Sequence, residues 1–484
     1  YLLAAGALSI VFIPMFLEYL ERGDEERGWK AFSVVANFVA VVGTVLIALL
    51  MVFARPLTGI VAPGFTDPVE VDTLVHLIRI VLPAQFFLIV GGLLSAVLQA
   101  QDRHFLPAMA PLAYSASVIV GGVWGAYSGM GAEGFAWGVL VGSILGPFGL
   151  PLFGCLRTGL HWSPLLSFRN RDLKRYLWLS LPIMVGFSIV IVDEWIIKNQ
   201  ASYLAAGDLS FLQYGRTLMK VPIGVFGMAI GVGAYPSVSR MIAAKSIPQA
   251  YGVLARAIRL MLFGTFAAQI CLTLAGFEFS YLIWGLYASR FTVADAHATG
   301  TVLMFLCIGL AGWAAQTVIS RGFYALGSTW LPTLVGTGVT AALIPLYVVL
   351  RQHFGAVGLA VASSVSILIY VMLLGWLQRR RFEREAVAKD TTLDGVPGML
   401  DTAIRLALAA AVAIAIGLLL RPTLVQLLPS NDLLSLLARA AALCAVGLGV
   451  YVFLAQILGV KEVGEIERIV LHIRRRFRTL MQTS

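Results

Sequence analysis

The chain has 484 residues, 59% of them hydrophobic and only 12% charged, with a mean hydropathy of +0.88. Soluble domains hold about a quarter of their residues as charges, so this composition excludes one, and the length of the apolar runs excludes a β-barrel. The formal net charge of +10 invites a nucleic-acid partner, but the cations crowd into alternate loops, which excludes that reading.

An apolar helix of about 20 residues covers roughly 30 Å of hydrocarbon. Thirteen such runs follow one another, near 2–20, 31–54, 74–100, 106–127, 133–156, 176–203, 209–239, 252–276, 298–324, 330–350, 356–378, 402–420 and 433–459. Polar or turn-forming breaks separate them, among them ERGDEERG at 21–28, APGF at 62–65, QDRH at 101–104 and GMGAEG at 129–134. The expected fold class is an all-α polytopic membrane protein.

Alternate loops differ sharply in Lys and Arg. One set, with the C-terminal tail, holds about 23 of them, and the other about four: Arg55, Arg290, Arg351 and Arg421. The rich side is expected to be cytoplasmic, which places Tyr1 outside and the C-terminus inside. The tail at 461–480 sets Val463, Ile466, Ile469, Val470, Ile473, Phe477 and Leu480 on one helical face and basic residues on the other. That pattern predicts a helix lying on the anionic inner leaflet.

The chain also resembles itself. PMFLE at 14–18 answers to PSVSR at 236–240, QAQDRHFLP at 99–107 to YALGSTWLP at 324–332, and GAEGFA at 131–136 to GAVGLA at 355–360, at offsets of 222, 225 and 224. Each copy spans the membrane an even number of times, so the copies share one orientation. Two parallel six-helix lobes are expected, related by a pseudo-two-fold along the membrane normal, with a cleft between them. The organisation read from this is an N-lobe at 1–156, a C-lobe at 176–378, an extra helix pair at 402–459 and a tail at 461–484. The helix 176–203 has no counterpart after Tyr1, so the N-lobe is read as lacking its first helix.

One stretch, 211–240, breaks the rules for a lipid-facing span. It carries Arg216 and Lys220 near its start, and an intramembrane cation costs about 2.5 kcal/mol or more unless it faces a cavity or a partner. Gly224, Gly227 and Gly231 recur on one helical face, where another backbone can approach closely. In the preceding run, IVIVDEWIIKNQ, Asp193 and Glu194 interrupt the apolar sequence and Lys198 follows one turn later. Asp193 or Glu194 is expected to pair with Arg216 at similar depth. Two readings stay open: the charges neutralise one another, or an excess of cation attracts an anionic headgroup such as a diphosphate, which guanidinium geometry suits.

Glu18 and Arg240 stand at equivalent positions of the two copies and are candidates for a gating latch at the inner mouth. The four cysteines lie singly in apolar runs, the six histidines show no ligand spacing, and no catalytic or nucleotide-binding motif is present. No cofactor, metal or enzyme activity is expected.

GALSIVFIP at 6–14, APGF at 62–65 and PIGVFGMAIGVGAYPSVSR at 222–240 together resemble the MurJ (MviN) family of lipid II flippases, within the multidrug/oligosaccharidyl-lipid/polysaccharide exporter superfamily. The resemblance implies fourteen helices and outward movement of a lipid-linked peptidoglycan precursor across the bacterial inner membrane by alternating access. It also implies a lipid-tail groove formed by the last two helices. The implied partners are lipid II and membrane lipids, with room for a coupling ion. The family's usual glutamate before Gly-Ala of the second helix is Ala5 here. Its usual cavity arginine falls on Thr217, with Arg216 one position earlier and about 100° around the helix. A superfamily exporter of another substrate, such as a lipid-linked polysaccharide unit or a drug exchanged for a cation, is the alternative, and a scaffold without transport is a third.

Overall fold

The computed structural model describes residues 7–460 except 166, 168, 187, 287–289, 329, 389–391 and 394–398, together with 462 and 464. The readings made on Ala5 and on the tail helix 461–480, apart from Glu462 and Gly464, lie outside the described residues. The described chain contains helices and connecting turns without a strand, and it divides into two compact units, Tyr1–Ile191 and Val192–Ser484.

The first unit contains α1 (Ala7–Glu21), α2 (Glu25–Val52), α3 (Ala54–Val61), α4 (Pro68–Val81), α5 (Ala84–Ala100), α6 (Phe105–Ser128), α7 (Ala132–Ser143), α8 (Leu150–Arg157) and α9 (Arg171–Gly186). Asp24 caps α2 by accepting the Arg27 N–H, and Asp67 caps α4 just ahead of Pro68, whose missing N–H falls where a helix has no partner to offer. Pro147 lacks a donor as well, and Ile144–Gly149 widen there into a π-helical turn between α7 and α8.

Aromatic rings fill the core of this unit. Phe12, Phe16, Trp29 and Phe32 lie with centroids 5.4 to 6.0 Å apart, mostly edge to face. Leu173 and Tyr176 of α9 are buried in the same cluster, which ties α9 to α1 and α2. The boundary between units therefore falls within the expected span 176–203 rather than ahead of it. Where α6 meets α7 the contact is backbone on backbone: a methyl added at Gly121 would sit 2.5 Å from the Gly134 carbonyl oxygen, and one at Gly134 2.4 Å from that of Gly121. Small residues permit this approach in a membrane, where packing rather than hydrophobicity drives association.

After α10 (Ser188–Ala201), in which the boundary lies, the second unit runs through α11 (Asp208–Pro222), a π-helical turn at Ile223–Met228 and α12 (Ala229–Ala243). It continues with α13 (Ile247–Leu274), α14 (Gly276–Ser280), α15 (Val293–Cys307), α16 (Leu310–Ala325), α17 (Trp330–Ala342), α18 (Ile344–Val387), α19 (Met399–Leu427) and α20 (Leu433–Ile457). The central element is α13, which touches α12, α16, α19 and α20 and is buried over 61% of its apolar window against 28% for α19 and α20. Small residues again seat the extra pair: methyls at Gly417 or Gly447 would strike Leu274 and Ile270 of α13 at 2.4 and 2.6 Å.

Among the described residues, nine helices are long and apolar enough to cross a membrane, or ten if α15 and α16, bent by 46°, form one span. Three expected runs are absent from that set. α1 and α17 are described over only 15 and 13 residues, and 176–203 is described as α9 and α10 on either side of 187, which lies outside the described residues.

The internal repeat has a conformational counterpart. Positive φ occurs at Gly23 and Lys245, at Asp102 and Gly327, and at Gly131 and Gly355, pairs separated by the same 222, 225 and 224 positions as the matching sequence stretches. Gly131 (φ 57°, ψ −123°) and Gly355 (φ 58°, ψ −132°) share a conformation that only glycine adopts readily. Each turns the chain between two helices, so the run Ile344–Val387 is two helical segments meeting at Gly355.

Candidate functional site

The charges singled out in the sequence gather on α10 and α11 of the second unit. Arg216 Nη2 donates to Asp193 Oδ2 and, at 3.1 Å, to Ser363 Oγ, while the Tyr347 hydroxyl donates to Asp193 Oδ1 and Ser363 Oγ lies 3.3 Å from Asp193 Oδ2. Asp193 and Arg216 are 2% and 4% exposed, and Tyr347 and Ser363 are fully buried. A buried carboxylate and guanidinium are tolerated only with such geometry and added hydrogen bonds. The cluster joins three helices, α10, α11 and α18, through one carboxylate.

One turn along, Lys220 Nζ donates to Glu194 Oε1 at 2.9 Å, with 60% of the lysine side chain exposed against 26% of the glutamate. Lys198 is exposed. Thr217 is also exposed, its hydroxyl returned to the Gln213 carbonyl of its own helix at 2.8 Å. The one-residue offset thus separates an inward Arg216 from an outward Thr217. Of the three glycines, Gly227 and Gly231 face α16: a methyl at Gly227 would sit 3.1 Å from the Ala314 Cα, and one at Gly231 2.1 Å from Arg321 Nη1, while Gly224 faces open space.

Glu18 accepts from Arg22 at 2.6 Å and from Arg175 at 2.7 Å, so both its oxygens are engaged within the first unit. Arg240, on α12, donates to the Pro236 carbonyl at 3.4 Å.

Several polar groups carried no sequence signal. Tyr347 and Ser363 read as ordinary span residues. Glu278 is fully buried on α14, just past the end of α13, with Arg421 Nη2 of α19 at 3.6 Å and Arg439 Nε of α20 at 3.7 Å. Arg439 also donates to the Leu428 carbonyl and Asn431 Oδ1, and the Phe277 ring, stacked on His297, lies beneath it. A lone acid at a span end and two cations distant in sequence could be associated only through the fold. Among the described residues no group of His, Cys, Asp or Glu could hold a metal ion, and the four cysteines are free thiols.

The arrangement is a set of intramembrane charges in which both acids of α10 are paired and the exposed groups are cationic. Comparison with known proteins fits it. A probable lipid II flippase MurJ of Thermotoga maritima is 26% identical over 470 residues, 96% of this chain and 88% of that protein. One of Rhizobium tropici is 26% identical over 387 residues, 78% of this chain and 69% of that protein. The solved structure of a lipid II flippase MurJ in an inward closed conformation shares the fold with a TM-score of 0.71 at 20% identity, covering 93% of this chain and 87% of that one. The family model for lipid II flippase MurJ matches residues 1–431, and the chain belongs to that family.

Proposed function

We propose that this protein moves lipid II, the lipid-linked peptidoglycan precursor, from the inner to the outer leaflet of the bacterial inner membrane. The observation that carries the reading is the family match over residues 1–431. In this reading the two lobes are related by a pseudo-two-fold along the membrane normal and rock between inward and outward openings, with the C-terminus in the cytoplasm and the tail on the inner leaflet. The step breaks no covalent bond, so the protein works as a transporter and not as an enzyme.

Charge supports an anionic cargo over the drug-for-cation alternative. A cation exporter needs an acid free to receive its substrate, whereas Asp193 is engaged by Arg216 and Glu194 by Lys220, leaving Lys198 over. Lys220, more exposed than its partner, is the group of this cluster placed to meet a diphosphate, and Arg216 acts by holding α10, α11 and α18 in position. A latch between Glu18 and Arg240 would require Glu18 to release Arg175.

Complementation of a strain depleted of its own lipid II flippase tests the proposal. Wild type should restore growth. Lys220→Ala should lower lipid II translocation at least about tenfold while changing stability by no more than about 1 kcal/mol, since the pair it breaks is exposed. A protein that reaches the membrane folded and never rescues growth overturns the proposal.

A further inference from the structure

Arg321 of α16 is an intramembrane cation without an ion-pair partner among the described residues. Its guanidinium lies along Gly231 of α12, where Nη1 is 2.1 Å from the place a methyl would take, and its hydrogen bond is to the Met228 carbonyl at 3.5 Å. Met228 is the last residue of the π-helical turn, a segment whose widened pitch rearranges the usual carbonyl partners. Gly231, Tyr235 and Val238 of α12 and Leu254 of α13 line the narrow cleft into which Arg321 points.

The plain reading of a half-buried arginine near a helix end is that it snorkels to the interface. The geometry runs the other way. Arg321 is four residues from the end of α16, yet its guanidinium reaches Met228, near the middle of the 35-residue span Asp208–Ile242 and about 20 Å from the end of that helix at 1.5 Å per residue. Only a glycine at 231 permits the side chain to lie there. A charge held at that depth is costly to leave without a counter-ion, and a planar guanidinium with one long hydrogen bond retains several N–H groups for an oxyanion.

We infer that Arg321, seated on Gly231, is an anion-binding group that takes a phosphate oxygen of the cargo. The inference rests on the flippase reading and adds to it a second cationic position, separate from the α10–α11 cluster. Arginine suits this role because its fork donates two parallel hydrogen bonds to one phosphate, which lysine cannot reproduce.

The test uses the full chain in phosphatidylcholine nanodiscs with two probes, a polyprenyl diphosphate in the bilayer and inorganic pyrophosphate in the water. Binding is followed by native mass spectrometry. Arg321→Gln should weaken binding of the lipid probe about tenfold or more, as expected for loss of a charge-assisted hydrogen bond, with an unchanged melting temperature because it breaks no ion pair. Arg321→Lys should recover only part of the affinity. Gly231→Ala keeps the charge but pushes the guanidinium aside, and it should weaken binding several-fold. Equal losses with pyrophosphate would assign the site to free phosphate as well as to the lipid, and a loss confined to the lipid probe would assign it to the lipid. Unchanged binding of both probes by Arg321→Gln overturns the inference and leaves the flippase reading standing. Wild type that binds neither probe overturns both.

Discussion

Arg216 shows how much one side chain's direction decides. Placed among Asp193, Ser363 and Tyr347, it closes a polar cluster that links α10, α11 and α18 and has almost no contact with solvent. Removing one partner of such a pair leaves an uncompensated charge, which costs about 3–5 kcal/mol, whereas removing both returns much of that loss. Arg216→Ala should therefore unfold markedly earlier in thermal or denaturant melts in detergent, and the double variant Asp193→Ala/Arg216→Ala should be more stable than the single one. A single variant as stable as wild type would show that the cluster does not hold the helices. The existence of this pair could be read from the sequence, because an acid and a cation interrupting adjacent apolar runs have few alternatives to meeting. The rest of the cluster could not, since Tyr347 and Ser363 are unremarkable in a span and only the fold of α18 brings them to Asp193. Nor could Arg321, whose depth is set by a glycine ninety residues earlier in the chain.

Elements carry the duplication more clearly than any residue does. GAEGFA and GAVGLA open helices in the two units, and the two glycines of each motif have different tasks. Gly131 and Gly355 have positive φ with nothing within 4 Å of an added methyl, so alanine there meets backbone strain alone, about 1–3 kcal/mol. At Gly134 and Gly358 the φ is helical and the obstacle is steric, with a methyl 2.4 Å from the Gly121 oxygen and 1.9 Å from the Leu350 oxygen. Backbone cannot yield as a side-chain tip can. Alanine at Gly134 should thus be more destabilising than at Gly131, and alanine at Gly358 more than at Gly355, measured as melting temperatures of the four single variants. Opposite orders in the two units would mean that the motifs resemble one another in letters only. Helix positions were legible because hydrophobic length is a strong signal, whereas the π-helical turns and the membership of α9 depend on packing that periodicity does not encode.

At the scale of the whole molecule the uneven distribution of cations is the feature that binds sequence to membrane. A span inserts with its Lys- and Arg-rich flank retained in the cytoplasm, and the bias of about 23 such residues on one set of loops and tail against about four on the other is the ground for the orientation proposed here. The proposed orientation puts the turn after α6 outside and the connection between α18 and α19 inside. Ser128, the last residue of α6 before that turn, and Thr392 in that connection are exposed and can each be replaced by cysteine after the four native cysteines are changed to serine or alanine. A membrane-impermeant thiol reagent applied to intact spheroplasts should label Ser128→Cys and spare Thr392→Cys, and both should react once the membrane is opened. Labelling of Thr392→Cys alone from outside would invert the topology. The basic tail would then face away from the anionic leaflet that its composition suits, and a carrier oriented that way could not receive a cytoplasmic precursor through the inward opening proposed for it.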